Sequence, residues 1–578
     1  MKQLMLGNEA FARGLYESGC SFVSSYPGTP STEITEYAAK YPEIYAEWAP
    51  NEKVAMEAAF GAALAGKRSF CGMKHVGLNV AADPLFTISY TGINAGMIIG
   101  VADDAGMHSS QNEQDSRHYA KAAKLPMLEP SDASEAKEFT ALAYEISETF
   151  DTPVLMKMCT RIAHSQSIVS LCDRNTVPQK LYVKDPAKYI MMPGNAKKRH
   201  PVVEKRLEAL STYAESASCN RIEWAENREL GIITGSTSYQ YVREVFGDSV
   251  SVLKLGMVWP LPQQMIRVFA SKVDRLVVVE ELDGFIESFC KDLGLTVEGK
   301  NLFSQIGELS QNAVAEALGA AVPSGIALSE AIPPRPPVMC AGCPHRGLYY
   351  VLQKLNLTVI GDIGCYTLGA VPPLNAVDSV ICMGASVSGI HGFNLANEGK
   401  SDSNTVAVIG DSTFMHSGMT GLVNIAYNNS NSTVIILDNS ITGMTGHQQN
   451  PTTGYNLKGD PAAKVDLVAL CKALGIERVR VVDPYDLKQC EATIKEELSV
   501  AAPSVIISRR PCALLKYVKH APALKVNTEK CVGCKMCMKI GCPAISIVDG
   551  KAKVDNTLCT GCCVCQQLCK FSALEGGK

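Results

Sequence analysis

The sequence predicts an α/β protein, with three parallel-sheet units in series and a small cysteine-ligated module at the end. Three observations predict it. Apolar runs of strand length alternate with helix-like segments, the pattern of a sheet covered on both faces. That rhythm lapses between 166 and 228, and again at the proline-rich stretch 332–338. The last 48 residues then hold nine of the 22 cysteines. The expected units are therefore 1–165, a linker at 166–228, then 229–325, 326–520 and 521–578.

In the first unit, Ser21–Ser24 reads as a strand entering the loop Tyr26-Pro27-Gly28-Thr29-Pro30. Glu52–Ala65 is an alanine-rich helix ended by Gly66. Ser69–Met73, Met97–Ala102 and Val154–Met158 are strand-length apolar runs, and Asp132 with Glu135 resembles a capping box. Asp103–His118 is polar, as expected of a loop leaving a strand end. Residues 166–228 carry four prolines and the basic run Lys197–His200, read as a solvated linker or hairpin. Leu230–Thr234, Val250–Leu255 and Leu276–Glu280 restore the strands of a second unit with no catalytic cluster of its own.

The third unit carries chemistry. Thr405–Ile409 runs into Gly410-Asp411-Ser412, and Thr433–Leu437 runs into Asp438-Asn439, with helical Met419–Ala426 between. This is one βαβ unit, so Asp411 and Asn439 lie at the carboxyl ends of two parallel strands, where open α/β sheets bind ligands. Asp411, the Asn439 side-chain oxygen and the Ile441 carbonyl offer three hard oxygens to a magnesium ion. Magnesium takes its remaining oxygens from water and phosphate. Met383-Gly384-Ala385-Ser386 follows the strand-like run Ser379–Cys382, and its small residues let backbone N–H groups approach a diphosphate. The spacing of Gly410-Asp411-Ser412 and Asp438-Asn439 resembles the thiamine-diphosphate motif. Thiamine chemistry also needs a carboxyl group against the aminopyrimidine, opening an alanine-rich helix in another domain, and Glu52 answers that description.

In the tail, Cys531, Cys534 and Cys537 are followed by Cys542-Pro543, and Cys559, Cys562 and Cys565 by Cys569. Two interleaved runs of this kind hold two [4Fe–4S] clusters, the fourth cysteine of each run ligating the other run's cluster. One cluster is thus assigned to Cys531, Cys534, Cys537 and Cys569. The other is assigned to Cys542, Cys559, Cys562 and Cys565. Zinc sites do not need such triplets, and a disulfide framework needs an oxidising compartment. The first run has an extra residue before Cys542, the second lacks a proline after Cys569, and Cys563 is given no ligand role. Cys340 and Cys343 make half a zinc site at most. A net charge of −4 gives no nucleic-acid signal. Glu9 interrupts any signal-peptide core, and no apolar run spans a bilayer, so a cytoplasmic protein is expected.

The chain resembles the indolepyruvate:ferredoxin oxidoreductase alpha subunits, of the 2-oxoacid:ferredoxin oxidoreductase family. The resemblance rests on Tyr26–Thr32, Lys74–Asn79, Cys343–Gly347, Gly361–Gly369, Cys382–Ser386 and Thr445–Gln448. It implies oxidative decarboxylation of an aryl pyruvate with CoA, giving an aryl-acetyl-CoA, CO2 and reduced ferredoxin. It implies that Thr29 lies near the substrate carboxylate and that His75 is catalytic. It implies that Cys343, His345, Cys365, Gly384, Ala385, Ser386, Gly410, Ser412, Thr445 and Gly446 line thiamine diphosphate, and that Leu230–Asp292 is transketolase C-terminal-like. It further implies a smaller beta subunit, two copies of each chain, and ferredoxin as electron acceptor. A non-oxidative thiamine-dependent decarboxylase would leave the tail cysteines without purpose. A non-catalytic iron–sulfur electron carrier would leave most of the chain unused.

Overall fold

A computed structural model describes residues 1–323, 325–326 and 328–577. The chain forms two compact units, Met1–Leu328 and Ser329–Lys578.

The first unit is built on a seven-stranded sheet ordered Met257–Trp259, Met127–Leu128, Val154–Cys159, Met97–Asp103, Ser69–Lys74, Phe22–Ser25 and Tyr45–Trp48. Every pairing is parallel except that of Met257–Trp259, which is antiparallel. A four-stranded sheet follows, with Leu230–Gly235 parallel to Ser251–Leu255 and Arg275–Val279, and Arg221–Glu223 antiparallel at the edge. The two sheets are not separate bodies. Ile233, Leu253, Leu255 and Phe269 share one apolar cluster with Met97, Ile99 and Leu125, all buried. Arg117, itself buried, donates to Glu280 Oε2 at 2.6 Å and to Asp115 Oδ2 at 2.6 Å, tying the loop after Met97–Asp103 to the end of Arg275–Val279. A buried charge is tolerated only when its partners are also fixed, so this network pins that loop.

The stretch read as a linker is structured. Gln166–Ser170 pairs antiparallel with Lys2–Leu6, and Pro193–Ala214 is a 22-residue helix. The basic run lies inside that helix, where Arg199 donates to the Tyr90 and Thr91 carbonyls and the His200 ring bonds Tyr90 Oη at 2.9 Å. Prolines hid the helix because Pro193 sits in its first turn, where no N–H is needed, and Pro201 lies within it.

The second unit holds a five-stranded, all-parallel sheet in the order Thr358–Ile360, Thr405–Gly410, Thr433–Asp438, Ser504–Arg509, Arg478–Val482. The middles of its central strands, Val406–Ile409, Val434–Leu437 and Val505–Ile507, are apolar because both faces are covered. Ile435 and Ile436 are both wholly buried but belong to different clusters, each burial stabilising by about 1.5–3 kcal/mol. Ser379–Cys382 is not a strand; it contributes only a parallel bridge from Ser379 to Ile360. The cysteine-rich module has two small antiparallel pairings, Lys525–Val526 with Leu574–Glu575 and the hairpin Ile545–Val548 with Lys551–Val554. Its apolar residues Ile540 and Leu568 share a cluster with Leu348, Tyr349 and Leu352 of the α/β part. Among the described residues, no helix is long and apolar enough to cross a membrane.

Candidate functional site

Asp411 and Asn439 follow two adjacent parallel strands, with Gly410 in register with Leu437. Both are buried. Thr452 Oγ1 donates to Asp411 Oδ2 at 3.0 Å and to Asn450 Oδ1 at 2.7 Å. Thr442 Oγ1 donates to Ser412 Oγ at 2.9 Å and accepts from Asn450 Nδ2 at 3.3 Å. The loop after Thr433–Asp438 is thereby stitched over Asp411. Burial, with Asp438 adding like charge, pushes the Asp411 carboxyl up to about 7. A cation beside a carboxyl so placed would favour its charged form, which fits a magnesium ligand. Asn439 Oδ1 accepts from Ile441 N at 3.2 Å and keeps a second lone pair. No N–H donates to the Ile441 carbonyl among the described residues.

The aromatic and histidine residues here fix shape. Asn439 Nδ2 meets His345 Nε2 at 3.3 Å, and complete burial lowers that imidazole to about 4, so it is neutral. Tyr366 stands edge-on to His345 and donates to the Ile363 carbonyl at 2.8 Å. A Cβ at Gly410 would sit 2.6 Å from the Tyr366 ring, so that strand end admits only glycine. Thr445 and Gly446 form a self-bonded turn: Thr445 Oγ1 donates to Gln448 Oε1 at 2.6 Å, and Gln448 Nε2 returns to the Thr445 carbonyl at 3.0 Å.

The loop Gly384–Ser386 departs from the sequence reading. Gly384 N and Ser386 N donate to the two oxygens of Asp362 at 3.0 and 2.9 Å, and Ala385 N donates to the Cys382 carbonyl at 3.1 Å. These N–H groups are held by protein rather than left open for a phosphate. Asp362 is the residue that sequence reasoning passed over, its one signal being the motif Gly361-Asp362-Ile363-Gly364.

In the tail, Cys531, Cys534, Cys537 and Cys569 line one small cavity. Burial raises the Cys537 thiol, and Cys534, Cys569 and Cys531 raise it further. Burial likewise raises Cys562, which feels Cys542 and Cys559. Backbone N–H groups face the sulfurs: Ala552 N to Cys531 Sγ at 3.4 Å, Ala573 N to Cys569 Sγ at 3.3 Å and Leu524 N to Cys559 Sγ at 3.4 Å. Such donors favour thiolates and tune cluster potential. A single tetrahedral zinc, with Zn–S near 2.3 Å, would draw sulfurs to roughly 3.8 Å of one another. No three cysteine sulfurs lie mutually within 4.8 Å among the described residues. Cys563 is turned aside, its Sγ 3.3 Å from the Gly561 carbonyl.

Four other cysteines, the Cys340 and Cys343 pair with Cys365 and Cys512, lie near enough to raise one another's thiols. Burial pushes Cys343 up to about 12, with Cys340 and Cys365 adding to the rise. Burial pushes Cys365 up to about 11, with Cys512 and Cys340 adding. Cys512 is raised by burial and then by Cys340 and Asp411, and its N–H donates to the Asn439 carbonyl at 2.9 Å. This group therefore adjoins the Asp411 loop. On its far side, Tyr485 feels both Cys562 and Cys343 and donates to the Gly342 carbonyl, while Gly342 packs on Thr560. Arg346 donates to the carbonyls of Ile540, Gly541, Met339 and Cys340, clamping the two cysteine-bearing loops together.

In the first unit, Glu52 opens the helix Glu52–Leu64, which Asn51 caps by accepting from Val54 N at 2.9 Å. Glu52 is buried, and a Cβ at Gly77 would lie 2.5 Å from its Oε1. His75 is wholly buried, its Nε2 3.2 Å from the Asn112 carbonyl. Thr29, partly exposed, follows the adjacent strand Phe22–Ser25.

Two family models match the chain: "Pyruvate flavodoxin/ferredoxin oxidoreductase, thiamine diP-bdg" over residues 13–228, and "Thiamine pyrophosphate enzyme, C-terminal TPP binding domain" over 362–508. The chain is 40% identical to "Indolepyruvate oxidoreductase subunit IorA" of Pyrococcus horikoshii, across 99% of this chain and 97% of the relative. The protein of the same description from Archaeoglobus fulgidus is 38% identical, across 100% and 98%. A "2-oxoglutarate synthase subunit KorA" of Archaeoglobus fulgidus is 25% identical, across 49% of this chain and 88% of the relative.

Proposed function

The chain belongs to the indolepyruvate oxidoreductase alpha-subunit family of the 2-oxoacid:ferredoxin oxidoreductases, and we propose that it oxidatively decarboxylates an aryl pyruvate with CoA. The balance is aryl pyruvate plus CoA plus two oxidised ferredoxins, giving aryl-acetyl-CoA, CO2, a proton and two reduced ferredoxins. The observation that carries this reading is one continuous arrangement within the second unit. The buried Asp411–Asn439 edge meets Cys512, whose N–H donates to the Asn439 carbonyl, and Cys365, whose Sγ lies with Asn439 Nδ2 around Gly443, and Cys340 and Cys343 act electrostatically on these two or on each other. These in turn adjoin the cysteine sets of the tail through Tyr485 and Gly342. A decarboxylase that passed no electrons would have no use for that continuity.

Thiamine diphosphate, when bound, supplies the electron sink that lets a 2-oxo acid lose CO2. Asp411, the Asn439 oxygen and the Ile441 carbonyl would hold its magnesium. Glu52 would hold the proton facing the aminopyrimidine ring nitrogen, and neutral His345 and Tyr366 would shape the wall. Cys531, Cys534, Cys537 and Cys569 would hold one [4Fe–4S] cluster, and Cys542, Cys559, Cys562 and Cys565 another. The converging Cys340, Cys343, Cys365 and Cys512 suit a third centre nearer the magnesium. Around the cavity of Cys531, the exposed Val532, Lys535 and Phe571 give an apolar and cationic rim that suits an acidic acceptor such as ferredoxin.

Iron counting tests the ligand sets. Reconstituted chain is expected to hold about twelve irons, from three four-iron centres. Cys531→Ala, Cys559→Ala and Cys343→Ala should each remove about four. About eight irons in the wild type, unchanged in Cys343→Ala, would dismiss the third centre alone.

The relatives are named as subunits, and a smaller partner is proposed here too. The basic run Lys197–His200 is a poor CoA site, since Arg199 is spent on carbonyls. Anaerobic chain with ferredoxin, aryl pyruvate and CoA should form little aryl-acetyl-CoA until the smaller subunit is added. Full activity from the chain alone would overturn the need for that subunit. Aryl-acetaldehyde formed without ferredoxin reduction would favour the non-oxidative decarboxylase, and ferredoxin reduction indifferent to 2-oxo acid would favour a plain carrier.

A further inference from the structure

Resting on the reading of the substrate as an aryl 2-oxo acid, we propose that the Lys74 ammonium binds that acid's carboxylate. Lys74 ends the strand Ser69–Lys74. Its neighbours in the sheet are Phe22–Ser25, which leads to Thr29, and Met97–Asp103, with Lys74 in register with Ala102. Thr29, Lys74 and Asp104 thus share one carboxyl edge of the sheet, the edge at which such sheets receive ligands. Gly28 brings the Thr29 loop onto Lys74: a Cβ there would stand 3.0 Å from Lys74 Cβ.

The charge is buried and poorly compensated. Lys74 is 8% exposed. Its Nζ donates to the Ser109 carbonyl at 2.7 Å and to Ser109 Oγ at 3.4 Å, both neutral acceptors. Among the described residues no carboxylate comes within ion-pair distance of it. Asp104 is the nearby acid, but its oxygens are taken by Ser109 N at 2.9 Å, Ser110 Oγ at 2.5 Å and Thr160 Oγ1 at 2.7 Å. An ammonium offers three donors, and a buried cation with only neutral partners is costly unless an anion arrives. Burial lowers the lysine to about 8, with Asp104 opposing the shift, so it is charged at neutral pH.

A second observation at the same edge points to a ligand. His75, wholly buried, has Nε2 against a carbonyl, which makes that nitrogen the donor and Nδ1 the acceptor. Among the described residues Nδ1 has no partner. A ligand bearing both an anionic and a donor group would satisfy both residues.

The bland alternative is that Lys74 only anchors the loop carrying Ser109. The test uses the reconstituted complex with its partner subunit, and titrates indolelactate, an unreactive carboxylate analogue, by anaerobic calorimetry. Loss of a charged hydrogen bond predicts roughly 10- to 100-fold weaker binding by Lys74→Gln. Thiamine diphosphate and iron content should stay normal, and Lys74→Arg should recover part of the loss. Ser110→Ala, which loosens the same loop at Asp104, should bind the analogue nearly as the wild type does. In the wild type, affinity should fall as pH rises through about 8, as the ammonium facing Asp104 loses its proton; this arm serves if Lys74→Gln fails to fold. Unchanged affinity in Lys74→Gln, or equal losses in Lys74→Gln and Ser110→Ala, would overturn the carboxylate assignment while leaving the function intact. A wild-type complex that turns over no aryl pyruvate would instead overturn the function itself.

Discussion

Asp411→Asn is expected to leave a folded chain that retains neither magnesium nor thiamine diphosphate. The substitution keeps the size and the hydrogen bond from Thr452 but removes the charged oxygen on which a magnesium site depends. The structure adds a second expectation of opposite sign. The carboxyl titrates near 3.8 when unfolded and is pushed up to about 7 by burial and Asp438. The folded, metal-free chain therefore holds a proton that the unfolded chain releases across that interval. Stability must fall as pH rises from about 4 to about 7, and the penalty is fully present above it. At pH 8, metal-free Asp411→Asn should melt several degrees above the metal-free wild type. Magnesium with thiamine diphosphate should raise the wild-type melting temperature and not that of the variant. Melting curves with and without both ligands, and native mass analysis, measure this. Normal cofactor content in the variant would end the assignment of Asp411.

Glu52→Gln should retain cofactor and clusters yet lose turnover by about 10²–10⁴-fold, the usual cost of removing a positioned acid–base group. Glutamine preserves the shape against Gly77, where a Cβ would come within 2.5 Å of the carboxyl. It also leaves the Asn51 cap untouched, so a folding defect is not expected. The measurements are anaerobic turnover with ferredoxin, and exchange of the thiazolium proton followed by NMR. Wild-type rates of both would exclude Glu52 and leave its burial as ordinary first-turn packing.

Local pattern made much of the α/β architecture legible. Thr405–Gly410 and Thr433–Asp438 are strands because Val406–Ile409 and Val434–Leu437 are apolar and both faces are covered. The turns after them must then fall at the ligand edge, which brought Asp411 and Asn439 into view. Asp132 caps Ala133–Phe150 as its spacing with Glu135 announced, its Oδ1 accepting from Glu135 N at 2.9 Å. Pattern failed where polarity and proline masked order. Pro193–Ala214 lacks a strong apolar stripe and looked like a linker, yet Val203, Arg206 and Leu210 are buried in it. Arg206 Nη2 donates to the Ser89 carbonyl at 2.5 Å, a contact no local rule could supply.

What the sequence determined by itself was whatever repeats at short range: strand and helix periods, the cysteine triplets of the tail, and the paired turns at Asp411 and Asn439. Spacing along the chain encodes these because the interacting groups lie within one element or one βαβ unit. The tertiary structure alone decided which distant groups meet. Cys512 joins Cys340, Cys343 and Cys365 only because Ser504–Arg509 pairs with Thr433–Asp438 and delivers the following residues beside Asn439. Asp362 claims the N–H groups of Gly384 and Ser386 because Thr358–Ile360 lies at the sheet edge next to Thr405–Gly410. Lys74 acquires its buried charge from neighbouring strands and the Ser109 loop. Desolvation and charge are set by everything packed around a group, so they could be read only once the chain was folded.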